Sequence, residues 1–169
     1  MSLALTLNDW FILTFSALSV IIYAFIKPLF PKPIRISIWI YIIFLVQSVD
    51  YILGVKPYDL YDFMDKPRWE FTYGISHFTL YPVLGYLFLH FYYKNNYKGL
   101  KLVTYILICA ILSVLFEWTT VQFNVLTYKG WKLWYSGVVY ILVFISEVYY
   151  FEWIQSLYRK HKKGSSSHA

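Results

Sequence analysis

The stretch WEFTYGISHFTLYPVLGYLFLHFYY, Trp69 to Tyr93, decides how this chain folds. A bilayer crossing takes about 20 mostly apolar residues, and this run has that length while carrying Glu70, His77 and His90. Ionisable side chains inside a span are costly, so they usually face protein or a water-filled cavity. Glu70 and His77 are seven residues apart, and Tyr73, His77 and Tyr81 step by four, so a helix gathers them near one face. Pro82, just inward of that face, predicts a bend that frees a carbonyl one turn earlier. The functional site is expected around this face.

The rest of the chain has the same character. Of 169 residues, 59% are hydrophobic and 14% charged, with mean hydropathy +0.51. Soluble domains average roughly 25% charged residues, so the polar surface needed for solubility is missing, and the apolar residues gather into long blocks. Aromatics reach 23%, with 18 Tyr and 7 Trp, more than spans alone require. Tyr and Trp suit a membrane interface, and they also line pockets for flat or apolar ligands. The net charge of +6 does not speak for nucleic acid, because the basic residues sit between hydrophobic blocks. Cys109 is the one cysteine, which excludes an intrachain disulfide. The sequence shows no Cys/His metal spacing and no Gly-rich phosphate loop, so it names no cofactor.

Working outward, the sequence predicts an all-α integral membrane protein: a bundle of five spans over about 10–26, 34–54, 69–93, 100–121 and 134–158, forming one domain within 1–163. The first block lacks a preceding Lys or Arg and therefore reads as a span and not a signal peptide. KPLFPKP (27–33) and KNNYKG (94–99) join spans on one side. VKPYDLYDFMDKPR (55–68) reads as a polar loop or interfacial turn, and TTVQFNVLTYKGWKLWY (119–135) as a segment skirting the interface. GSSSHA (164–169) reads as a disordered tail or an appended remnant. One side receives Lys27, Lys32, Arg35, Lys94, Lys98, Lys101, Arg159, Lys160, Lys162 and Lys163. The other receives Lys56, Lys66, Arg68, Lys129 and Lys132. Ten against five predicts the N-terminus outside and the C-terminus inside.

On that topology Asp50, Glu70, His77 and Glu117, from three spans, fall in the outer leaflet. Each has a plain reading. His77 alone is more often a hydrogen-bonded core histidine; Asp50, with Gln47 one turn before it, can be interhelical glue; Ala110, Ser113 and Glu117 form a small-residue packing face; Glu70 lies near water. Together they predict a shared polar cavity open to the outside, able to bind a cation, relay protons or do acid–base work. Zinc takes three or four ligands, and His77, Asp50 and Glu117 would supply three. Glu147 lies near mid-span with Tyr140 two turns before it; burial disfavours its charge, so it is expected to be paired across helices or protonated. His90 and Glu152 lie nearer the inner surface and are expected to make structural pairings.

The chain resembles a known family at several places. VDYILG closes span 2, LYDFMD follows, YPVLGYLFLHFYY fills span 3, LFEW ends span 4, and TYKGWKLWYSGVVY enters span 5. These elements, across about residues 10–155, are similar to those of the CBO0543 family of small five-span proteins from spore-forming Gram-positive bacteria. That family has no assigned activity; the resemblance implies a bacterial cytoplasmic membrane. The five spans and aromatic richness also resemble the tryptophan-rich sensory/translocator proteins that bind porphyrins and sterols, although KPRW follows the second span here and the first there.

Three functions fit. A binding or transport protein would hold a cation or small amphipathic ligand in a pocket between spans 2, 3 and 4, rimmed by Tyr73, Tyr81, Trp118, Trp131 and Trp134. An enzyme would use His77 and a carboxylate on a lipid. A structural subunit or homodimer would use the acids as glue. Binding or structural roles rank above catalysis, because no nucleophile, metal set or cofactor motif is present. The expected partners are the lipid bilayer and that ligand, with no nucleic acid.

Overall fold

Prolines and charged breaks cut the chain into rods, the long helices running from 19 to 34 residues. The computed structural model describes residues 5–64 and 71–166. Helices α1 (Leu7–Phe25), α2 (Lys32–Gly54), α5 (Leu100–Gln122) and α6 (Leu133–Ser166) are long rods, and α3 (Phe71–Phe78) with α4 (Leu80–Lys94) make a fifth. The Asp9 carboxylate accepts the Thr6 amide at 3.0 Å, placing an acid in the first turn of α1. Pro31 caps α2 and Pro33 sits in its first turn, where a missing N–H costs nothing. Gly99 precedes α5 at φ 52°, a left-handed conformation that glycine adopts freely. By length and composition, four helices (α1, α2, α5 and α6) can cross a membrane, and their outward faces carry exposed Ile40, Phe44, Leu107, Ile111 and Leu142.

The third rod is not the continuous helix expected over 69–93. It breaks at Thr79 (φ −123°, ψ −66°), three residues before Pro82. Proline has no N–H for the Phe78 carbonyl and its ring crowds the preceding turn, so α4 starts afresh with Pro82 in its first turn. Thr79 N–H still bonds the Ile75 carbonyl at 3.0 Å and Val83 N–H the Thr79 carbonyl at 3.1 Å, so the chain turns without a loop. Glu70 lies outside the described residues.

The all-α expectation needs a second correction. The two segments read as loops pair as a short antiparallel ribbon, β1 (Tyr61–Phe63) and β2 (Leu126–Tyr128), with Tyr61 opposite Tyr128 and Phe63 opposite Leu126. Three consecutive amides, of Lys129, Gly130 and Trp131, converge on the Leu60 carbonyl at 2.9–3.1 Å and lock the exit of β2. Helix α6 also outruns its expected end near 158 and takes in 164–166, part of the expected tail.

Two aromatic clusters hold the bundle. At the ribbon end Phe11, Ile12, Met64, Tyr73 and Val125 pack together. Toward the other end Phe30, Ile34, Ile38, Ile42, Tyr86, Leu89 and Phe151 form the larger core. Helix α5 lies along α6 and meets β2 but has no extended backbone approach to α4. Side chains bridge that space: the Phe88 and Tyr105 rings stack at 5.1 Å, and Tyr105 Oη donates to the Phe88 carbonyl at 2.9 Å.

Candidate functional site

At the ribbon end, two carboxylates from different helices each collect three donors. Asp50, one turn before the end of α2, accepts the Tyr61 hydroxyl at 3.2 Å, the Tyr73 hydroxyl at 2.7 Å and His77 Nε2 at 2.9 Å. Glu117, near the end of α5, accepts the hydroxyls of Tyr128 at 2.5 Å, Ser136 at 2.6 Å and Tyr140 at 2.6 Å. Trp131 Nε1 donates to Ser136 Oγ at 2.8 Å, so a relay runs from the indole through the serine to the carboxylate. Burial, then the Asp50 charge and hydrogen bond, push the Tyr61 phenol up; burial, then its hydrogen bond to Glu117, does the same for Tyr128. Both phenols stay protonated and act as donors.

His77 is buried and has no free nitrogen. Its Nδ1 lies 3.2 Å from the Tyr73 carbonyl oxygen, which can only accept, so Nδ1 carries a hydrogen. Nε2 then meets Asp50 Oδ2 across a single proton. Whichever group holds that proton, the pair is electrically neutral. Tyr73 and Tyr81 flank the imidazole with ring centroids at 4.3 and 5.3 Å.

Behind these groups a cavity of about 680 Å³ runs down between the helices. Asp50, Tyr73, Tyr81, Glu117, Trp131, Tyr140 and Glu147 all reach its wall, with Ile12 and Phe15 of α1 and Val139 and Phe144 of α6. The cavity therefore exceeds the expected space between spans 2, 3 and 4, because α1 and α6 also line it. Most of the remaining wall is apolar, with Tyr61, Thr120 and Ser136 adding hydroxyls at the ribbon end and Tyr105, Cys109 and Ser113 further along. Leu84 of α4 and Ile108 and Leu112 of α5 line it and are also exposed on the outside of the bundle, which marks a side opening where those helices stand apart.

Several expected placements are corrected. Trp118 and Trp134 are half or more exposed and point away from the cavity, since each sits on an outward helix face. His77 stands behind Asp50 and does not line the space. Of the two arms expected for Glu147, pairing across helices or protonation, the first is not met: Oε2 has no partner among the described residues, although the residue is only 3% exposed. His90, expected to make a structural pairing, is buried with Nδ1 unbonded among the described residues. Glu152 does make its pairing, accepting the Tyr92 hydroxyl at 3.0 Å. No group of three or more His, Cys, Asp or Glu is placed to hold a metal among the described residues, because Asp50 and Glu117 serve separate donor sets.

Sequence reading missed Tyr61, Tyr128 and Ser136 as carboxylate partners. The signal was the short Val-, Thr- and Tyr-bearing runs bounded by Asn124 and Gly130, which read as strand. Compared with known proteins, the chain matches no family model, no curated protein and no solved structure.

Proposed function

We propose that the chain is a five-span protein of a cellular membrane, by the resemblance above a bacterial cytoplasmic one. Its N-terminus is outside, its C-terminus inside, and it binds a small amphipathic molecule. The observation that carries this reading is the cavity of about 680 Å³, apolar along most of its wall, with hydrogen-bonding groups gathered at the ribbon end. Ligand sites have this composition, an apolar body with a few polar groups that fix orientation. Tyr81 lines the cavity and its hydroxyl has no hydrogen-bond partner among the described residues, which leaves it free for a ligand head group. The opening by Leu84, Ile108 and Leu112 gives a tail a path from the bilayer.

A bare metal ion fits less well, since both ribbon-end carboxylates already hold three donors each. Acid–base catalysis by His77 fits less well too: a general base must reach the proton it takes, and both ring nitrogens are engaged away from the cavity. The structural reading retains one specific support, the satisfaction of Asp50 and Glu117 by their own neighbours.

Thermal unfolding of the purified protein with decanol, decanoate and decylammonium separates these readings. A saturable rise in midpoint with at least one probe is expected. It should vanish in Ser113→Phe, which fills the cavity from α5. No response to any probe, or an undiminished response in Ser113→Phe, would sink the binding reading.

A further inference from the structure

Glu147 is the group that the ribbon-end network leaves unused. It lies on the cavity wall two turns of α6 beyond Tyr140, about 10 Å at 1.5 Å per residue. Only 3% of it is exposed, and Oε2 has no hydrogen-bond partner among the described residues. Such a carboxyl is expensive to bury, so its place on the wall of a cavity points to a partner that is not part of the chain. Gly85 makes room for it: a Cβ there would stand 3.0 Å from Glu147 Oε1 and 2.5 Å from Ile42 Cδ1.

The charge of the wall decides what that partner is. Asp50, Glu117 and Glu147 line the cavity, while no Lys, Arg or His does among the described residues. The Asp50–His77 pair is neutral by its proton count, but Glu117 has hydroxyl donors and no cation bonded to it among the described residues. Next to Glu147, the Phe88, Tyr105 and Phe144 rings complete the wall, with Phe88 and Phe144 centroids 4.4 Å apart. Aromatic faces and carboxylates together attract a cation whose body is apolar.

We propose that the cavity takes a lipophilic organic cation, an amine or quaternary ammonium on an apolar body, with the Glu147 carboxylate as its counter-charge. This rests on the binding reading above and adds the ligand's charge and the residue that selects it. The cationic group enters past Leu84 and Leu112, passes the apolar wall and settles between Glu147 and the rings. Tyr81 and the ribbon-end carboxylates receive any second polar group.

Titration calorimetry of the full chain with decylammonium, decanol and decanoate, each with a ten-carbon chain, tests it. Decylammonium should bind about tenfold tighter or more, and Glu147→Gln should abolish that preference while leaving decanol affinity unchanged. Equal affinities in the wild type, a preference for decanoate, or a cation preference that survives Glu147→Gln would overturn the proposal while leaving the binding reading standing. Failure of all three probes would remove the binding reading itself. Should Glu147→Gln not fold, the wild type still decides. Cys109 shares the cavity wall, so decylammonium should protect it from a neutral maleimide at far lower concentration than decanol, and equal protection would overturn the proposal.

Discussion

His77 Nε2 lies 2.9 Å from Asp50 Oδ2, joining residues 27 apart in the chain and fastening α3 to α2. Because Nδ1 faces the Tyr73 carbonyl at 3.2 Å, the contact holds one proton, and Tyr61 and Tyr73 add two more donors to the same carboxylate. Asp50→Leu leaves three donors unpaired and should cost about 3 kcal/mol, at roughly 1 kcal/mol for each. Asp50→Asn can accept from Tyr61 through Oδ1 and donate to a neutral imidazole through Nδ2, leaving only Tyr73, which shares Oδ2 with His77, without its acceptor, so it should lose less. Denaturant unfolding in detergent gives both values; equal tolerance of Leu and Asn would show that these contacts contribute nothing to stability.

The relay from Trp131 through Ser136 to Glu117 should behave as one unit. A double-mutant cycle of Trp131→Phe and Ser136→Ala is expected to show a coupling energy of about 0.5–3 kcal/mol. Additive losses would mean that the indole and the serine act separately.

Gly85→Ala should destabilise the bundle by about 1–3 kcal/mol, the usual result of overpacking. The new methyl group would stand 2.5 Å from Ile42 Cδ1 and 3.1 Å from Cγ1. Ile42→Val removes Cδ1, so adding it to Gly85→Ala should recover part of the loss. Thermal midpoints of the single and double variants measure this, and an Ala variant as stable as wild type would contradict the close approach.

Topology is tested with thiols. A cysteine introduced at Lys163 should resist an impermeant maleimide in intact cells and react after permeabilisation, as the ten-to-five division of basic residues requires. Labelling in intact cells would reverse the orientation. Cys109 lines the cavity, so a small neutral maleimide should reach it while a charged, impermeant one does not.

Lys129 bridges Asp62 at 2.8 Å and Asp59 at 2.9 Å, and these hydrogen bonds, Asp62 first, raise its ammonium above the ordinary lysine range. For a cation with a raised folded-state value, the stabilisation is complete below the unfolded lysine value of about 10.4. It is lost as pH climbs through the raised value. The group is exposed, so the effect is small. Wild type and Lys129→Ala should differ slightly near neutral pH and converge in strong alkali; a gap that widens with pH would contradict the bridge.

Much of the fold was legible because a bilayer-length apolar run is a local property. Trp10 to Ile26 or Leu100 to Val121 can be counted along the chain, and the Pro and Lys breaks between runs mark where they turn. Pro82 was legible as a bend for the same reason, since the missing N–H belongs to the residue itself. The candidate site was legible only in part. Ionisable residues among apolar ones announce a cost, so Asp50, His77, Glu117 and Glu147 stood out; what offsets each cost lay elsewhere.

By itself, the sequence determined the number of rods, roughly where each lies along the chain, and which side chains are costly to bury. Periodicity and composition act within one segment, and burial costs belong to the residue type. Only the tertiary structure decided who meets whom. It paired Tyr61 with Tyr128 across a ribbon, brought both phenols onto carboxylates of different helices, turned Trp118 and Trp134 outward, and left Glu147 Oε2 on a cavity wall with no partner among the described residues. The reason is physical. Hydrogen bonds have a reach of about 3 Å, and residues as far apart as Asp50 and His77 come within it only when helices rotate to bury their aromatic faces against one another.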